Sequence, residues 1–530
     1  MTATLSDALA HSALATYTSL PPKGKPSRRS NGQREWTILA AFLVFRSTGT
    51  TCDEGFDVRC VSLGTGLKAL PHYKLPLHGD VLHDSHAEVI ARRGFKLWLY
   101  GQVERAGRGD PEALVEAVEG EDGTREWQLK GGWKVGMYVS TLPCGDASTY
   151  LLALQAAGTG ESGANPTSLA PPVTSTSTPV NGSAALHPSL SAALSLGLNL
   201  SRSSSCPLSP SPAPSPFSAP TVLRGRLSYT ALSSLRTKPG RADSPPTTSH
   251  SCSDKLALWN LLGVQGGLLS AMGVRRIGVE LLVVGSEGVP PDEEEREKVR
   301  KEIERAVGGR LEPWAKKLGL SEEEFRVLRV EWTDRAFEHG REEVARQEGV
   351  GKEAVVSCAE SLSWVATASP AVEVITNGIR QGAASKRKAG EALGAKNRSR
   401  LSKLSLFQRH AEVEALFSPS PHSGNPSAPV TYFSTKHPPL PPSASRSAVL
   451  APSPSSSPAK PLTPGQRYQR LKGLVRYRRL PGDSEAGGRA DVGDAVAEEP
   501  GAAREGGPFA GWLVSGGRWE SFDVSGRVVR

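Results

Sequence analysis

Four side chains from three distant stretches of the sequence could together hold and use a metal ion. His86 and Glu88 lie two residues apart, Cys144 follows a proline, and Cys252 stands between two serines. One imidazole and two thiolates can hold Zn²⁺ while a fourth position keeps a water molecule. Zinc makes that water nucleophilic near neutral pH, and a carboxylate that does not bind the metal can move the protons. The set predicts His86, Cys144 and Cys252 as zinc ligands and Glu88 as the general acid and base of a base deaminase.

Each of these motifs also has a plainer interpretation. His-Ala-Glu occurs by chance in many proteins, and a lone Pro-Cys-Gly is as readily a small buried hydrophobe. The Cys-x-x-Cys form of the deaminase signature is absent, because Ala147 stands where the second cysteine would be. The assignment of the third ligand therefore depends on the sequence around Cys252.

The predicted secondary structure places each ligand where a helix begins. Asp84 and Ser85 offer N-cap groups to a helix predicted over His86–Tyr100, and Ser251 or Ser253 can cap a helix over Asp254–Leu262. Cys144 precedes a short apolar helix that ends near Leu154. A helix N-terminus carries partial positive charge and free N–H groups, which favour the thiolate form of cysteine.

Composition divides the 530 residues into foldable and low-complexity parts. With 55 Gly and 41 Pro, much of the chain cannot bury enough apolar surface to fold. We expect one domain over 8–530, interrupted by a disordered Ser/Pro-rich insertion at 158–220 and low-complexity insertions at 418–464 and 482–507. The remaining predicted elements are strands at Val58–Leu63, Lys134–Thr141 and Arg275–Val284, a charged surface helix at Asp292–Val307, and a last folded piece at Pro508–Val524.

Net charge and cysteine usage bear on partners and compartment. The formal charge of +9 suits a polyanionic partner such as RNA. Six scattered cysteines, no secretory leader and no membrane-length apolar run indicate an intracellular protein, nuclear or cytoplasmic, with reduced thiols. The basic stretches Lys23–Arg29 and Lys386–Arg400 could be nuclear-localisation signals, RNA contacts or ordinary solvated charge. Nothing indicates an obligate protein partner or a membrane.

The run from Ser251 to Ser270 closely resembles the third zinc motif of the adenosine deaminases that act on RNA, including their transfer-RNA relatives. Asp84–Arg93 and Ser140–Ser148 resemble the first and second motifs. In that family the third ligand is remote from the second, which accounts for the missing Cys-x-x-Cys. The resemblance implies a cytidine-deaminase-like α/β fold, with a mixed sheet flanked by helices and a family-specific C-terminal helical extension.

Within the family, the transfer-RNA branch is the most similar. Lys23–Pro26 followed by Arg34–Thr37 resembles the start of that branch, as does the basic turn Arg236–Asp243. The resemblance implies zinc-dependent hydrolysis of adenosine to inosine in tRNA, at the adenosine 3′ of the anticodon (A37) of tRNA-Ala. Deamination of another RNA and a non-catalytic RNA-binding role remain alternatives. We also predict that Lys238 and Arg241 of the basic turn contact RNA or the substrate pocket.

The same resemblance implies a buried inositol hexakisphosphate. The family positions that hold it fall on Arg92, Arg93, Lys255 and Trp259, with Tyr432, Lys436, Lys472 and Trp512 as further candidates and Arg380 and Lys403 as additional ones. The chain departs from the family pattern at three places. Leu258 stands where mRNA-editing relatives carry an arginine, Leu67 where many relatives have threonine, and Trp512 lacks the lysine usual after it.

Overall fold

A computed structural model describes most of the chain outside its low-complexity stretches. The described residues are 4–49, 55–158, 222–225, 231–240, 244–322, 324–383, 387–388, 390–417, 429–440, 461–476, 508–509, 512 and 519–529. The predicted insertion at 482–507 lies outside them, as does 158–220 apart from Gly158. Of the predicted insertion at 418–464, residues 429–440 and 461–464 are described, and they include a short helix.

Strands dominate the first part of the chain, and helices are more frequent after it. The strands are β1 (Glu35–Trp36), β2 (Leu39–Ser47), β3 (Phe56–Thr65), β4 (Leu67–Ala69), β5 (Asp84–His86), β6 (Val115–Glu119), β7 (Arg125–Leu129), β8 (Lys134–Val139), β9 (Leu223–Arg224), β10 (Arg236–Thr237), β11 (Leu281–Gly285), β12 (Arg329–Thr333), β13 (Val356–Ser357), β14 (Ser361–Val365), β15 (Val372–Thr376) and β16 (Ile379–Arg380). The helices are α1 (Leu5–Ser19), α2 (Ala87–Gly107), α3 (Asp146–Gly158), α4 (Cys252–Leu262), α5 (Gly266–Ala271), α6 (Glu293–Val307), α7 (Glu312–Lys317), α8 (Arg341–Glu348), α9 (Lys403–Glu414), α10 (Tyr432–Lys436) and α11 (Pro464–Arg476).

A single mixed sheet organises the fold, in the order β12-β11-β8-β2-β3-β14-β15-β16. The strands β8, β11 and β12 run parallel to one another, whereas β2, β3, β14, β15 and β16 pair antiparallel with their neighbours. Helices cover both faces, and α9, α10 and α11 extend the C-terminal part. The predicted fold class, a mixed sheet flanked by helices, is confirmed.

The apolar run of β2 explains why the sheet is covered on both sides. Residues 39–45 of this strand are all buried, and successive side chains of a strand point to opposite faces. Ala40, Phe42 and Val44 pack in one core with α2, while Leu39 and its alternate neighbours pack in a second core with α1. A strand buried on both faces reads as a continuous apolar run, as this one does.

Most predicted elements occur near their predicted positions, with three differences. The helix predicted over His86–Tyr100 runs over Ala87–Gly107, because apolar residues continue on its buried face. The strand predicted over Arg275–Val284 is confined to Leu281–Gly285, since the side chains of Arg275 and Arg276 are engaged in other contacts. Of the predicted piece Pro508–Val524, only 508–509, 512 and 519–524 are described, and they form no helix or extended strand. Among the helices of the described ranges, none is long and apolar enough to cross a membrane.

Gly64 in β3 allows α2 to lie directly on the sheet. A Cβ at this position would lie 2.6 Å from Ile90 Cγ2 and 2.8 Å from the Ala87 carbonyl oxygen, both in the first turn of α2. Contacts this short require the helix to move, because interiors are close-packed. Because Gly64 has no side chain, α2 lies close to the sheet. The distance of His86 and Glu88 from the sheet depends on this close approach.

Substituting Gly64 by Ala should therefore reduce the free energy of unfolding by about 1–3 kcal/mol, through overpacking between β3 and α2. Urea denaturation followed by circular dichroism measures this change. Gly131→Ala is the matched control, since a Cβ there meets no atom within 4 Å. Equal stability of the two variants would show that α2 is not held by this close approach.

Candidate active site and adjoining cationic cavity

The antiparallel strand pair β4–β5 leads into α2 and places His86 and Glu88 at the N-terminal end of this helix. In β5, His86 pairs with Leu67 of β4 and is also the N-cap residue of α2. Glu88 lies in the first turn of this helix and is only 2% exposed. The predicted capping by Asp84 and Ser85 is wrong: no side chain caps α2, because the Asp84 carboxylate is engaged by His86 and two lysines.

The two cysteines meet where the loop after β8 contacts the start of α4. Cys252 is the first residue of α4, and the hydroxyl of its N-cap Ser251 accepts a hydrogen bond from the Asp254 N–H at 3.2 Å. The Cys252 N–H donates to Cys144 Sγ at 3.4 Å, and the Ser253 N–H donates to the Cys144 carbonyl oxygen at 3.0 Å. One N–H group at the start of α4 therefore faces the Cys144 sulfur, whereas the sequence relates each cysteine to the start of its own helix.

Asp84 connects these residues to two buried lysines. Its Oδ1 accepts a hydrogen bond from His86 Nδ1 at 2.9 Å, which leaves Nε2 of the imidazole available as a ligand. Its Oδ2 accepts from Lys238 Nζ at 2.8 Å, from Ser249 Oγ at 2.5 Å and from Lys255 Nζ. Lys238 Nζ also lies 3.2 Å from Cys252 Sγ. One carboxylate thus orients the histidine and holds a cation against the Cys252 sulfur.

The electrostatics follow from burial and this network. Burial alone would raise the pKa of Asp84, but Lys238 and Lys255 hold it well below its usual range. A hydrogen bond from Cys252, aided by the Lys238 ammonium, lowers the pKa of Cys144, so that its thiolate is favoured. Burial and the nearby charge of Cys144 raise the pKa of the Glu88 carboxyl. A carboxyl with a raised pKa can exchange protons near neutral pH.

His86, Cys144 and Cys252 lie close together, but not in the arrangement of a metal site. Within the described ranges, no group of three or more His, Cys, Asp or Glu side chains is placed so that it could hold a metal ion. His86, Cys144 and Cys252 instead contact one another through hydrogen bonds. A neutral imidazole and two thiolates are nonetheless ligands that zinc accepts. Glu88 Oε2 is buried without a hydrogen-bond partner in the described structure, and the charges of Cys144, Lys238 and His86 act on this carboxyl, which therefore lies beside the donors.

On the far side of Asp84 lies a cavity of about 320 Å³. All the residues first predicted to hold the polyphosphate line it, together with Lys403, which was an additional candidate. The predicted members are Arg92, Arg93, Lys255, Trp259, Tyr432, Lys436, Lys472 and Trp512. Segments far apart in sequence, from α2, α4, α10 and α11, thus converge on one space.

The lining of this cavity is strongly cationic. Seven Lys and Arg side chains line it against two carboxylates, those of Asp84 and Glu520. Glu520 accepts hydrogen bonds from Lys403 Nζ at 2.9 Å and from Lys436 Nζ at 2.7 Å. Buried charge without counter-charge is very costly, so this lining fits a polyanion.

Lys96 and Glu520 are charged residues of the lining that were not predicted. Lys96 follows Arg92 and Arg93 by four and three residues on α2, and that spacing places the three on one helix face. The helical period could therefore have revealed it. Glu520 lies in a short segment after a low-complexity stretch, where the sequence offers no periodic signal.

The remaining predicted contacts fall elsewhere. Lys238 is only 2% exposed and bound to Asp84, so its ammonium does not face solvent where RNA phosphates could reach it. Arg241 lies outside the described residues. Arg380, an additional candidate for the polyphosphate, lines a different cavity beside Lys74. It belongs to β16, which is an edge strand of the sheet.

The basic stretch Lys386–Arg400 is partly structural. Arg398 donates to the Leu393 carbonyl oxygen at 2.9 Å, and Arg400 donates to the carbonyl oxygens of Ser363 and Ala371 at 3.3 and 2.6 Å. The Arg400 guanidinium thus fastens the segment before α9 to β14, whereas Arg398 stabilises the segment itself and its junction with α9. Their hydrogen bonds to backbone oxygens engage them within the protein.

A mixed sheet that presents a histidine, a glutamate and two cysteines at adjoining helix starts is the architecture of a hydrolytic nucleobase deaminase. Residues 62–438 match the family model for the adenosine-deaminase (editase) domain. The chain belongs to this family and is a hydrolytic deaminase, which confirms the family predicted from its motifs.

Curated relatives extend the comparison. The chain is similar to tRNA-specific adenosine deaminase 1 of Homo sapiens, with 29% identity over 452 residues that cover 73% of this chain and 84% of the relative. The protein of the same name from Saccharomyces cerevisiae is 28% identical over 243 residues, covering 46% and 49% of the two chains. Double-stranded RNA-specific editase Adar of Drosophila melanogaster is 24% identical over 256 residues, covering 48% of this chain and 30% of the relative.

Replacing Asp84 by Asn should destabilise the protein strongly, because Lys238 and Lys255 would lose the carboxylate that neutralises them. Breaking a buried ion pair costs about 3–5 kcal/mol, and urea denaturation should show a loss of that order. Asp57→Asn removes a half-buried surface carboxylate that pairs with Arg59 at 3.0 Å and with Arg46 at 3.3 Å, so it should cost no more than about 1 kcal/mol. An Asp84→Asn variant as stable as this control would contradict the role given to Asp84.

Proposed function

We propose that this protein hydrolyses adenosine to inosine in tRNA in a zinc-dependent reaction, at the adenosine 3′ of the anticodon (A37) of tRNA-Ala. The observation that supports the chemistry best is the buried carboxyl of Glu88, whose Oε2 has no hydrogen-bond partner in the described structure, beside the adjoining His86, Cys144 and Cys252. The substrate class is supported by the similarity to relatives named as tRNA-specific adenosine deaminases.

His86 through Nε2 and Cys144 and Cys252 through their sulfurs would hold the zinc ion. When bound, the ion supplies a water molecule that is acidic enough to act as a nucleophile near neutral pH. The Asp84 carboxylate keeps the His86 imidazole in one orientation, and Lys238 balances the negative charge at Cys252. These positioning contacts would reduce the rearrangement needed when the metal binds.

Glu88 would move the protons of the reaction. Its carboxylate accepts a proton from the water that attacks C6 of the adenine, and it then delivers that proton to the exocyclic amino nitrogen. The C6–N bond breaks, ammonia leaves, and the remaining hydroxyl proton moves to N1, so that the carbonyl oxygen of inosine remains at C6. The raised pKa of Glu88 suits this exchange, since an acid–base group is most efficient when its pKa approaches the working pH.

The cationic cavity would hold inositol hexakisphosphate as a structural cofactor. Seven Lys and Arg side chains converge there from segments that are distant in sequence, and two carboxylates are too few to neutralise them. A polyphosphate supplies several negative oxygens to such a lining, because each charged hydrogen bond to phosphate is strong. Arg92, Arg93, Lys255, Trp259, Tyr432, Lys436, Lys472 and Trp512 are the residues we assign to it.

The RNA would be held by basic surface outside the two buried sites, through its phosphates. With the Lys238 side chain buried, Arg241 is the remaining candidate contact in the basic turn. We place this activity in the nucleus or the cytoplasm, where tRNA is processed. The weaker similarity to an editase named for double-stranded RNA keeps another RNA as the alternative substrate.

The variant Glu88→Gln should retain zinc and lose inosine formation by at least about 100-fold, because loss of a positioned acid–base group costs two to four orders of magnitude. Inosine is measured by sequencing tRNA after incubation with purified protein, and zinc by elemental analysis. Glu112→Gln, at an exposed position in the loop before β6, is the matched control and should keep full activity.

Two further variants separate the metal from the proton transfer. Cys252→Ala should lose both zinc and inosine formation, whereas Cys358→Ala, which removes a buried thiol elsewhere, should lose neither. Undiminished inosine formation with Glu88→Gln would reject the proposed mechanism, and wild-type protein without zinc would reject the metal site.

Sequencing the whole tRNA pool after incubation identifies the substrate. We expect A-to-I change at position 37 of tRNA-Ala and background levels at other adenosines. Glu88→Gln protein gives the background for each position. Inosine at a different position, or only in long duplex RNA offered in parallel, would replace tRNA-Ala as the substrate while leaving the chemistry intact.

A further inference from the structure

Among the Lys and Arg side chains that line the 320 Å³ cavity, Lys96 differs in having no hydrogen-bond or salt-bridge partner in the described structure. Its side chain is 8% exposed, and the described residues offer it neither a hydrogen-bond acceptor nor a salt-bridge partner. The other α2 cations are engaged. Arg92 donates to the Val264 carbonyl oxygen at 3.0 Å, and Arg93 donates to the Leu401 carbonyl oxygen at 2.5 Å.

The position of the ammonium group shows that Lys96 is directed at the cavity. A Cβ placed on Gly266 would lie 3.6 Å from Lys96 Nζ and 3.0 Å from Arg92 Nη2, so both groups meet where the chain enters α5. Gly266 has no side chain and lines the cavity itself. The ammonium thus lies at the cavity wall, away from bulk solvent.

The surroundings make an unaccompanied ammonium unfavourable. Burial, together with the neighbouring charges of Arg92, Arg93 and Lys436, lowers the pKa of Lys96 well below its usual value. The carboxylate that opposes this effect, Glu520, is already bound by Lys403 and Lys436. Such a lysine is stabilised when an anion enters the space beside it.

Leu258 of α4 lines the same cavity, at the position where mRNA-editing relatives carry an arginine. An apolar side chain there removes one phosphate contact from the wall formed by α4. Lys96 adds one cation to the wall formed by α2.

We propose that Lys96 is a ligand of the polyphosphate in this chain and takes over the contact that Leu258 does not provide. The inference rests on the proposed polyphosphate cofactor and assigns it a residue that the motifs do not. Lys96 donates to phosphate oxygens from the α2 side, next to Arg92 and Arg93. In this chain, α2 instead of α4 supplies this cationic contact to the cofactor.

The test measures the cofactor itself. Wild-type protein and Lys96→Met are purified from cells that make inositol hexakisphosphate, and the compound released on denaturation is quantified per chain. Methionine keeps the length and removes the charge, so a lysine that serves only to fill space should tolerate it. We expect Lys96→Met to release less inositol hexakisphosphate, and to lose it at a lower urea concentration. A lost charged contact should weaken its binding at least about tenfold.

The double variant Lys96→Met/Leu258→Arg tests whether a cation at position 258 can replace the cation at position 96. It should recover both the content of inositol hexakisphosphate and the urea midpoint for its release. Lys316→Met, on the exposed side of α7, is the control for loss of a lysine and should match wild type. If Lys96→Met alone is insoluble, a soluble double variant that carries the cofactor supports the proposal, and an insoluble one overturns it.

The experiment distinguishes failure of the proposed cofactor from failure of the role assigned to Lys96. Wild-type protein that releases no inositol hexakisphosphate overturns the proposed cofactor and, with it, the assignment of Lys96. Lys96→Met with wild-type content and wild-type urea midpoint overturns the assignment alone. Loss of the cofactor in Lys96→Met without recovery in the double variant keeps Lys96 as a ligand but overturns its exchange with position 258.

Discussion

The carboxylate of Asp84 is shared between two buried sites, and the arrangement of both depends on it. One oxygen orients the His86 imidazole, and the other accepts hydrogen bonds from Lys238 and Lys255. Lys238 reaches the Cys252 sulfur, while Lys255 lines the cationic cavity. Since an unpaired buried charge is very costly, none of these groups can be changed without disturbing the others. The candidate active site and the cavity are therefore one electrostatic unit.

Helix α2 serves both parts of this unit. Its first turn carries Glu88 beside the two cysteines, and its next turns carry Arg92, Arg93 and Lys96 along the cavity. Gly64 of β3 lets this helix lie close to the sheet, so that the position of the strand fixes the position of both sites. A polyanion in the cavity would hold the C-terminal helices against α2 by charge. Stability and catalysis would then share one cofactor.

Much of the fold and of the site can be predicted from the sequence where the signal is local or follows a period. The strand predicted at Val58–Leu63, the helix start before Glu88 and the cap at Ser251 all occur as predicted or within a few residues of it. The motif around Cys252 indicates the family, which the match over residues 62–438 confirms. The ends of α2 and the strand near Leu281 could not be placed, because tertiary packing decides how far a helix or strand continues.

The sequence by itself determined which metal donors, acids and cations are present, and which of them lie at the start of a helix. Only the tertiary structure decided how they are used. It placed Lys238 beneath Cys252 rather than on the surface, made Asp84 a shared hydrogen-bond acceptor rather than a helix cap, and brought Lys96 and Glu520 into the cavity. The physical reason is that burial changes what a charge requires. In solvent a lysine needs no partner, whereas inside the protein its place is set by the nearest counter-charge, which can come from any part of the chain.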